Sequence, residues 1–223
     1  LLKKHGFKRR KAQKKETLKQ VAGRDQQFGR IAELKAQYQQ AGNPIISMDT
    51  KKKELLGNFY RDGKLYATAA ITVNDHDFKS FAKGGVIPHG LYDVQLNKAM
   101  INIGSSCDTG EFACDSLRQW WYSQGKLDYP HADSILLLCD GGGSNGCNQY
   151  LFKQDLQQLV DEIGIEIRVA HYPAYCSKYN PIEHRLFPHV TRACQGVVFA
   201  SIDLVLKLIK RTKTEKGLRV VVN

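Results

Sequence analysis

The chain has 223 residues, 42% of them hydrophobic, and a formal net charge of +11. That is enough apolar material for the core of one medium domain, or of one domain with an appendage. No run of 18 uncharged apolar residues occurs and lysines break up the N-terminus from its third position, so neither a helical membrane span nor a signal peptide is expected.

The positive charge is concentrated at the start. Residues 1–42 hold 12 Lys/Arg and 3 Asp/Glu, a net of +9, whereas the other 181 residues hold 21 and 19, a net of +2. This divides the chain into a basic arm or linker (1–42), read as the remnant of a DNA-contacting region, and a nearly balanced body (43–223). The absence of an initiating Met marks the chain as a fragment on this reading. Lys8, Arg9, Arg10 and Lys11 lie in the most basic stretch, which has little to bury and reads as a linker or an exposed helix.

Phe28, Ile31, Leu34 and Tyr38 recur at helical spacing between residues 24 and 40, and Gly42-Asn43-Pro44 ends that helix. Residues 44–50 form a first strand ending at Asp49, and 51–56 lead into a second. Residues 58–73 read as strand, turn, strand around Asp62-Gly63, a strong hairpin signal. Residues 74–109 are rich in Gly, Asn, Asp and His; they read as irregular, with one short strand at 99–103. A helix over 112–123 buries Trp120 and Trp121 against the core. Residues 134–139 are almost wholly apolar, as at a sheet centre covered on both faces. A glycine-rich turn, a helix over 147–163 capped by Gly164, and a strand over 165–170 complete a right-handed βαβ unit. Pro181 opens a helix that carries Glu183, and a last helix covers 201–211.

Three carboxylates stand out in this order. Asp49 and Asp140 each end an apolar strand, where a side chain leaves the core, and Glu183 sits on a flanking helix. Together they form a hard, all-oxygen donor set suited to Mg²⁺ or Mn²⁺, two ions per site, and to phosphoryl chemistry on DNA. The element order is that of an α/β, ribonuclease H-like fold: a mixed five-stranded sheet flanked by helices, with a basic helical N-terminal arm. In that arrangement the strands ending at Asp49 and Asp140 lie side by side. The glycine-rich turn lacks the Gly-Lys-Ser/Thr of a P-loop, and no GxGxxG opens its helix, which argues against a nucleotide-binding protein. Six scattered cysteines form no CxxC pair, so zinc is not expected and a reduced interior is. Asp75, Asp77, Asp93 and Asp108 read as solvated loop carboxylates, and His171 as a structural histidine. Lys51, His184 and Arg185, close to the carboxylates in sequence, are candidate DNA contacts, each also readable as a solvated or ion-paired side chain.

The segments Ile46-Ser-Met-Asp-Thr-Lys-Lys-Lys-Glu-Leu-Leu-Gly57, Asp140-Gly-Gly-Gly-Ser-Asn-Gly146 and Ser177-Lys-Tyr-Asn-Pro-Ile-Glu-His-Arg-Leu-Phe187 resemble the Rhodopirellula-type DDE transposases of bacterial insertion sequences. More distantly, Asn180-Pro-Ile-Glu183 is similar to the third-carboxylate motif of the mariner superfamily. The 42 residues between Asp140 and Glu183 place the chain beside the mariner elements rather than among them. The resemblance implies that Asp49, Asp140 and Glu183 are the catalytic, metal-holding triad. It further implies cleavage and strand transfer at transposon ends, a double-stranded DNA partner, assembly as a homodimer on DNA, and a bacterial, cytoplasmic, nucleoid-associated setting. An upstream helix-turn-helix would then precede this chain, and the family's usual C-terminal end would follow Asn223. Two other readings remain: a ribonuclease H-like nuclease without strand transfer, and a catalytically silent DNA-binding protein.

Overall fold

A computed structural model of the chain describes residues 2–8, 10, 21–105, 108–142, 146 and 148–223. Its centre is β5 (Ser134–Cys139), buried at every position as its unbroken apolar run requires. On one side β5 pairs in parallel with β6 (Glu166–His171), and on the other with β1 (Ile45–Thr50). The sheet then turns antiparallel through β3 (Gly84–Asp93) and β4 (Lys98–Gly104), and β7 (Arg219–Val222) adds a parallel edge to β4. The order is β6-β5-β1-β3-β4-β7, with the short β2 (Glu54–Leu56) paired to the start of β3.

The mixed α/β sheet is thus the expected one at its centre but carries seven strands among the described residues, not five. Two further expectations fail between residues 57 and 109. No strand forms over 58–73. Leu65, Tyr66 and Ile71 are exposed there, so the β-branched pattern finds no half-buried surface to fit. The Asp62-Gly63 turn instead docks on residues 195–196, where the Gly196 amide donates to the Asp62 carbonyl (2.9 Å). Conversely, residues 84–93, expected to be irregular, are a long central strand. Its partners are supplied by β1, β2 and β4, which outweigh the local breaking tendency of Gly84, Gly85, Pro88 and Gly90.

Helices cover both faces. α2 (Gly110–Trp120) starts at an N-cap where Thr109 Oγ1 accepts from the Phe112 amide. It continues through a π-helical turn (Trp121–Gly125) into the short α3 (Lys126–Asp128). With α4 (Tyr150–Ile163), α2 packs Leu117, Trp120 and Leu159 against Ile46, Met48 and Leu137 of the sheet. Gly164, at φ 75°, takes the left-handed conformation that closes α4, as its position predicted. The opposite face carries α5 (Ile182–Arg185), α6 (Phe187–Ala193) and α7 (Ile202–Ile209), whose apolar sides bury Tyr92, Ala99 and Ile101.

α1 (Arg24–Ala41) also belongs to this layer: Ile31, Leu34 and Tyr38 lie on Ile45, Leu136 and Leu138, and the Tyr38 and Ser134 hydroxyls share a 2.5 Å hydrogen bond. The N-terminal helix, grouped with the basic arm by charge, is therefore fastened to the sheet. Lys8 and Arg10 are exposed ahead of it, whereas Arg9 and Lys11 lie outside the described residues.

Candidate active site

Strand alternation decides which side chains of β1 reach the site. Ile46 and Met48 enter the α2–α4 core, so Ser47 and Asp49 face α5. β1 and β5 run in parallel with Ile45 opposite Leu136 and Ser47 opposite Leu138. The same register carried two residues further sets Asp49 beside Asp140, just past the end of β5. Both carboxylates thus leave the sheet at one edge, as the element order predicted.

A buried polar clamp brings in the third. Ser47 Oγ donates to Asn180 Oδ1 (2.5 Å) and accepts from the Ile182 amide (2.9 Å), while Asn180 Nδ2 donates to the Met48 carbonyl (3.2 Å). Ser47 and Asn180 are both fully buried. The clamp pins the first turn of α5 to the strand segment just ahead of Asp49, which brings the Glu183 carboxyl close enough for its charge to act on Asp49. Gly90 lets α5 approach that closely. It is the β3 residue opposite Asp49, and a Cβ there would stand 2.8 Å from Ile182 Cδ1 and 3.0 Å from Phe187 Cε1.

The cluster is electrostatically strained. Burial and the charges of Asp140 and Glu183 push Asp49 up to about 7, although the Thr50 amide donates to Asp49 Oδ1 (2.7 Å) and pulls the other way. Burial also raises Asp140. The Gly142 amide and His171 pull it down, and Asp108 adds to the rise. The field of His171 offsets part of the repulsion at Asp140. Such a set of hard, mutually repelling oxygens fits a divalent cation by its chemistry. No three His, Cys, Asp or Glu side chains among the described residues are already close enough to ligate one ion.

The remaining candidates separate. Lys51 lines a cleft of about 320 Å³ with Glu183, Lys52 and Thr191, but its ammonium is paired to Glu54 (2.5 Å). Glu54 also accepts from Arg61; despite burial, these two cations hold its pKa below the usual carboxylate range. His184 and Arg185 are exposed and line a separate groove behind Glu183. Two readings of the other carboxylates change. Asp93 is buried, not solvated: it caps the β3–β4 turn by accepting from the Gln95 and Leu96 amides and from Tyr129 (2.8 Å). Asp108 is exposed as expected, yet it accepts from Thr50 Oγ1 (3.0 Å) and lies within the field of Asp140. Ser47 and Asn180 were not singled out from sequence. The available signal was Asn180 itself, a polar residue directly before the proline that opens a helix.

A family model described as Rhodopirellula transposase DDE domain matches residues 1–223. Among curated proteins, none matches the chain. Among solved structures, the chain is similar to that of a pre-cleavage Mos1 transpososome, with a TM-score of 0.64 and 13% identity over 94% of this chain and 60% of that one. It is also similar to the Mos1 mariner paired-end complex with Mg (0.63, 15% identity, 97% and 63%) and to the catalytic domain of Mos1 mariner transposase (0.54, 12% identity, 86% and 81%). The chain spans about 60% of the length of the transposase in the first of these structures. At these identities the likeness establishes the fold, which is that of the Mos1 catalytic domain.

Proposed function

We propose, for a chain that belongs to the Rhodopirellula transposase DDE domain family, that Asp49, Asp140 and Glu183 are the catalytic carboxylates of a DNA transposase that cleaves and rejoins phosphodiester bonds at insertion-sequence ends. The observation that carries this reading is the Ser47–Asn180 clamp, which holds the turn bearing Glu183 beside the strand end where the parallel register brings Asp49 and Asp140 together. A cluster of half-buried, mutually repelling carboxylates costs stability, and a fold retains it where a cation relieves the repulsion.

The same three residues would hold Mg²⁺ or Mn²⁺, two ions per site. When bound, these ions supply Lewis-acid stabilisation at phosphorus and lower the pKa of the attacking water or 3′-hydroxyl. Asp49 and Asp140 contribute donors fixed by the sheet. Glu183, on one short turn of helix, contributes a donor whose position depends on the clamp. Lys8, Arg9, Arg10 and Lys11 ahead of the body, with Lys51 beside the cleft and His184 and Arg185 in the groove behind Glu183, would hold the DNA backbone. Double-stranded DNA would be the partner and a homodimer the assembled form; the likeness to a Mos1 mariner paired-end complex supports the binding of paired ends. The division at residue 42, between a DNA-contacting arm and the catalytic body, belongs to this proposal. So does action in the bacterial cytoplasm at the nucleoid; among the described residues no helix is long and apolar enough to cross a membrane.

The test is Mn²⁺-dependent nicking of a plasmid carrying the element's ends, with Asp140→Asn as the variant. Several kcal/mol of lost charge stabilisation corresponds to a fall on the order of 10³-fold. A variant nicking within a few-fold of the wild type would sink the assignment. Joined products on an end duplex distinguish transposition from simple nuclease action.

A further inference from the structure

The groove behind Glu183 is wider than the cleft in front of it, with a volume of about 1040 Å³. One wall is α5 and α6, which supply Arg185, His189 and Arg192. The other is the β3–β4 turn and the segment 213–216, which supplies Lys213 and Lys216. Among the described residues of the lining, Glu215 is the only acid. Among the described residues, none of Arg185, Arg192, Lys213 and Lys216 has a carboxylate within 4.0 Å. Unpaired cations gathered in one concavity raise the local positive potential instead of cancelling it. Burial and Arg185 together lower the pKa of Lys35 on α1, a second sign of positive charge in excess at this end of the molecule.

The walls are fastened to one another. Asn97, held at φ 54°, accepts from Tyr92 Oη (3.0 Å) and donates through Nδ2 to the Lys216 carbonyl (3.0 Å), tying the turn to the lysine-bearing segment. Gln95 Nε2 donates to the Asn43 carbonyl (2.7 Å) and anchors the same turn to the start of β1. A preformed, basic groove fits phosphate oxygens, which are bound mainly by Arg and Lys with help from Asn, Gln and Tyr. It offers no large apolar surface for a protein partner.

We propose that this groove is a sequence-independent track for the sugar–phosphate backbone of duplex DNA, continuing the DNA path past Glu183 to Lys213 and Lys216. It deepens the transposase reading and rests on it. The track binds DNA away from the carboxylates, so its loss weakens DNA binding without altering metal binding.

The experiment is fluorescence anisotropy of the 223-residue chain with a labelled 30-base-pair duplex, titrated between 50 and 200 mM salt. The variant is Arg192→Gln/Lys213→Gln/Lys216→Gln, three exposed side chains whose replacement leaves the core untouched. If each cation meets one phosphate, the slope of log affinity against log salt becomes shallower by about 2.7. The loss should be equal for an end sequence and an unrelated duplex, and the Arg192→Lys/Lys213→Arg/Lys216→Arg variant should keep the slope. Lys126→Gln/Lys153→Gln, on helices of the other layer, serves as the control. An unchanged slope in the triple variant overturns the proposal, as does an equal loss in the control or a loss confined to end sequences. The transposase reading fails by a different result, Mn²⁺-dependent nicking by Asp140→Asn, so the two failures are distinguishable.

Discussion

Replacing Asn180 by Ala tests whether the site is assembled by the clamp. The side chain is fully buried and makes two hydrogen bonds, from Ser47 Oγ and to the Met48 carbonyl. Its loss leaves the Ser47 hydroxyl proton without its acceptor in a dry environment and removes a second bond from the strand end. A net hydrogen bond contributes about 1 kcal/mol, and a buried group left unpaired costs about 1–3 kcal/mol, so the expected destabilisation is about 2–4 kcal/mol. Urea unfolding of both proteins at neutral pH measures it as a lower midpoint at unchanged slope. Ser47→Ala removes the same contact from the other side and also strips the Ile182 amide of its acceptor. The two substitutions together should therefore cost less than their sum, with a coupling of about 0.5–3 kcal/mol. If the clamp positions Glu183, Asn180→Ala also weakens Mn²⁺ binding at temperatures where the fold is intact. A change in stability below about 0.5 kcal/mol, or strict additivity with Ser47→Ala, would refute the reasoning.

Three further outcomes follow from named contacts. His89 is fully buried with neither ring nitrogen partnered among the described residues, and burial lowers its pKa from 6.5 to about 4. The unfolded chain therefore takes up a proton first as pH falls, so stability is complete above pH 6.5 and declines toward pH 4, by about 3 kcal/mol at 1.36 kcal/mol per pH unit. His89→Leu should flatten that part of a urea-midpoint profile, and a profile parallel to the wild type would contradict the account. Gly90→Ala should cost about 1–3 kcal/mol by overpacking against Ile182 and Phe187, read as a lower melting temperature; no change would mean that α5 does not depend on the close approach. Mn²⁺ at 100 times its Kd should stabilise the wild type by about 2.7 kcal/mol and Asp140→Asn by much less, and equal stabilisation of both would place the ion elsewhere.

The centre of the sheet was legible because its signals are local and agree with one another. An unbroken apolar strand, a capped amphipathic helix and a second strand spell a βαβ unit wherever they occur, and they placed β5, α4 and β6 within a few residues. The pairing of β1 with β5, and with it the convergence of Asp49 and Asp140, followed from the order of elements. What failed was decided by tertiary partners. β3 carries two glycines at its start, then Pro88 and Gly90, and local propensity reads these as loop. The strand exists because β1, β2 and β4 complete its hydrogen bonds and because Gly90 must be small beneath α5. Residues 58–73 show the reverse, with strand-like composition but no sheet to join. Asp93 was misread for the same reason: in sequence it is an acid in a loop, and only the fold gives it a turn to cap and Tyr129 to bind. The Ser47–Asn180 contact spans 133 positions, a separation that no local pattern reports.

The most direct measurement is the anomalous scattering of Mn²⁺ soaked into crystals of the chain. The account predicts manganese among Asp49, Asp140 and Glu183. Manganese bound elsewhere, with these three carboxylates free of it, would contradict the claim that they are the catalytic centre.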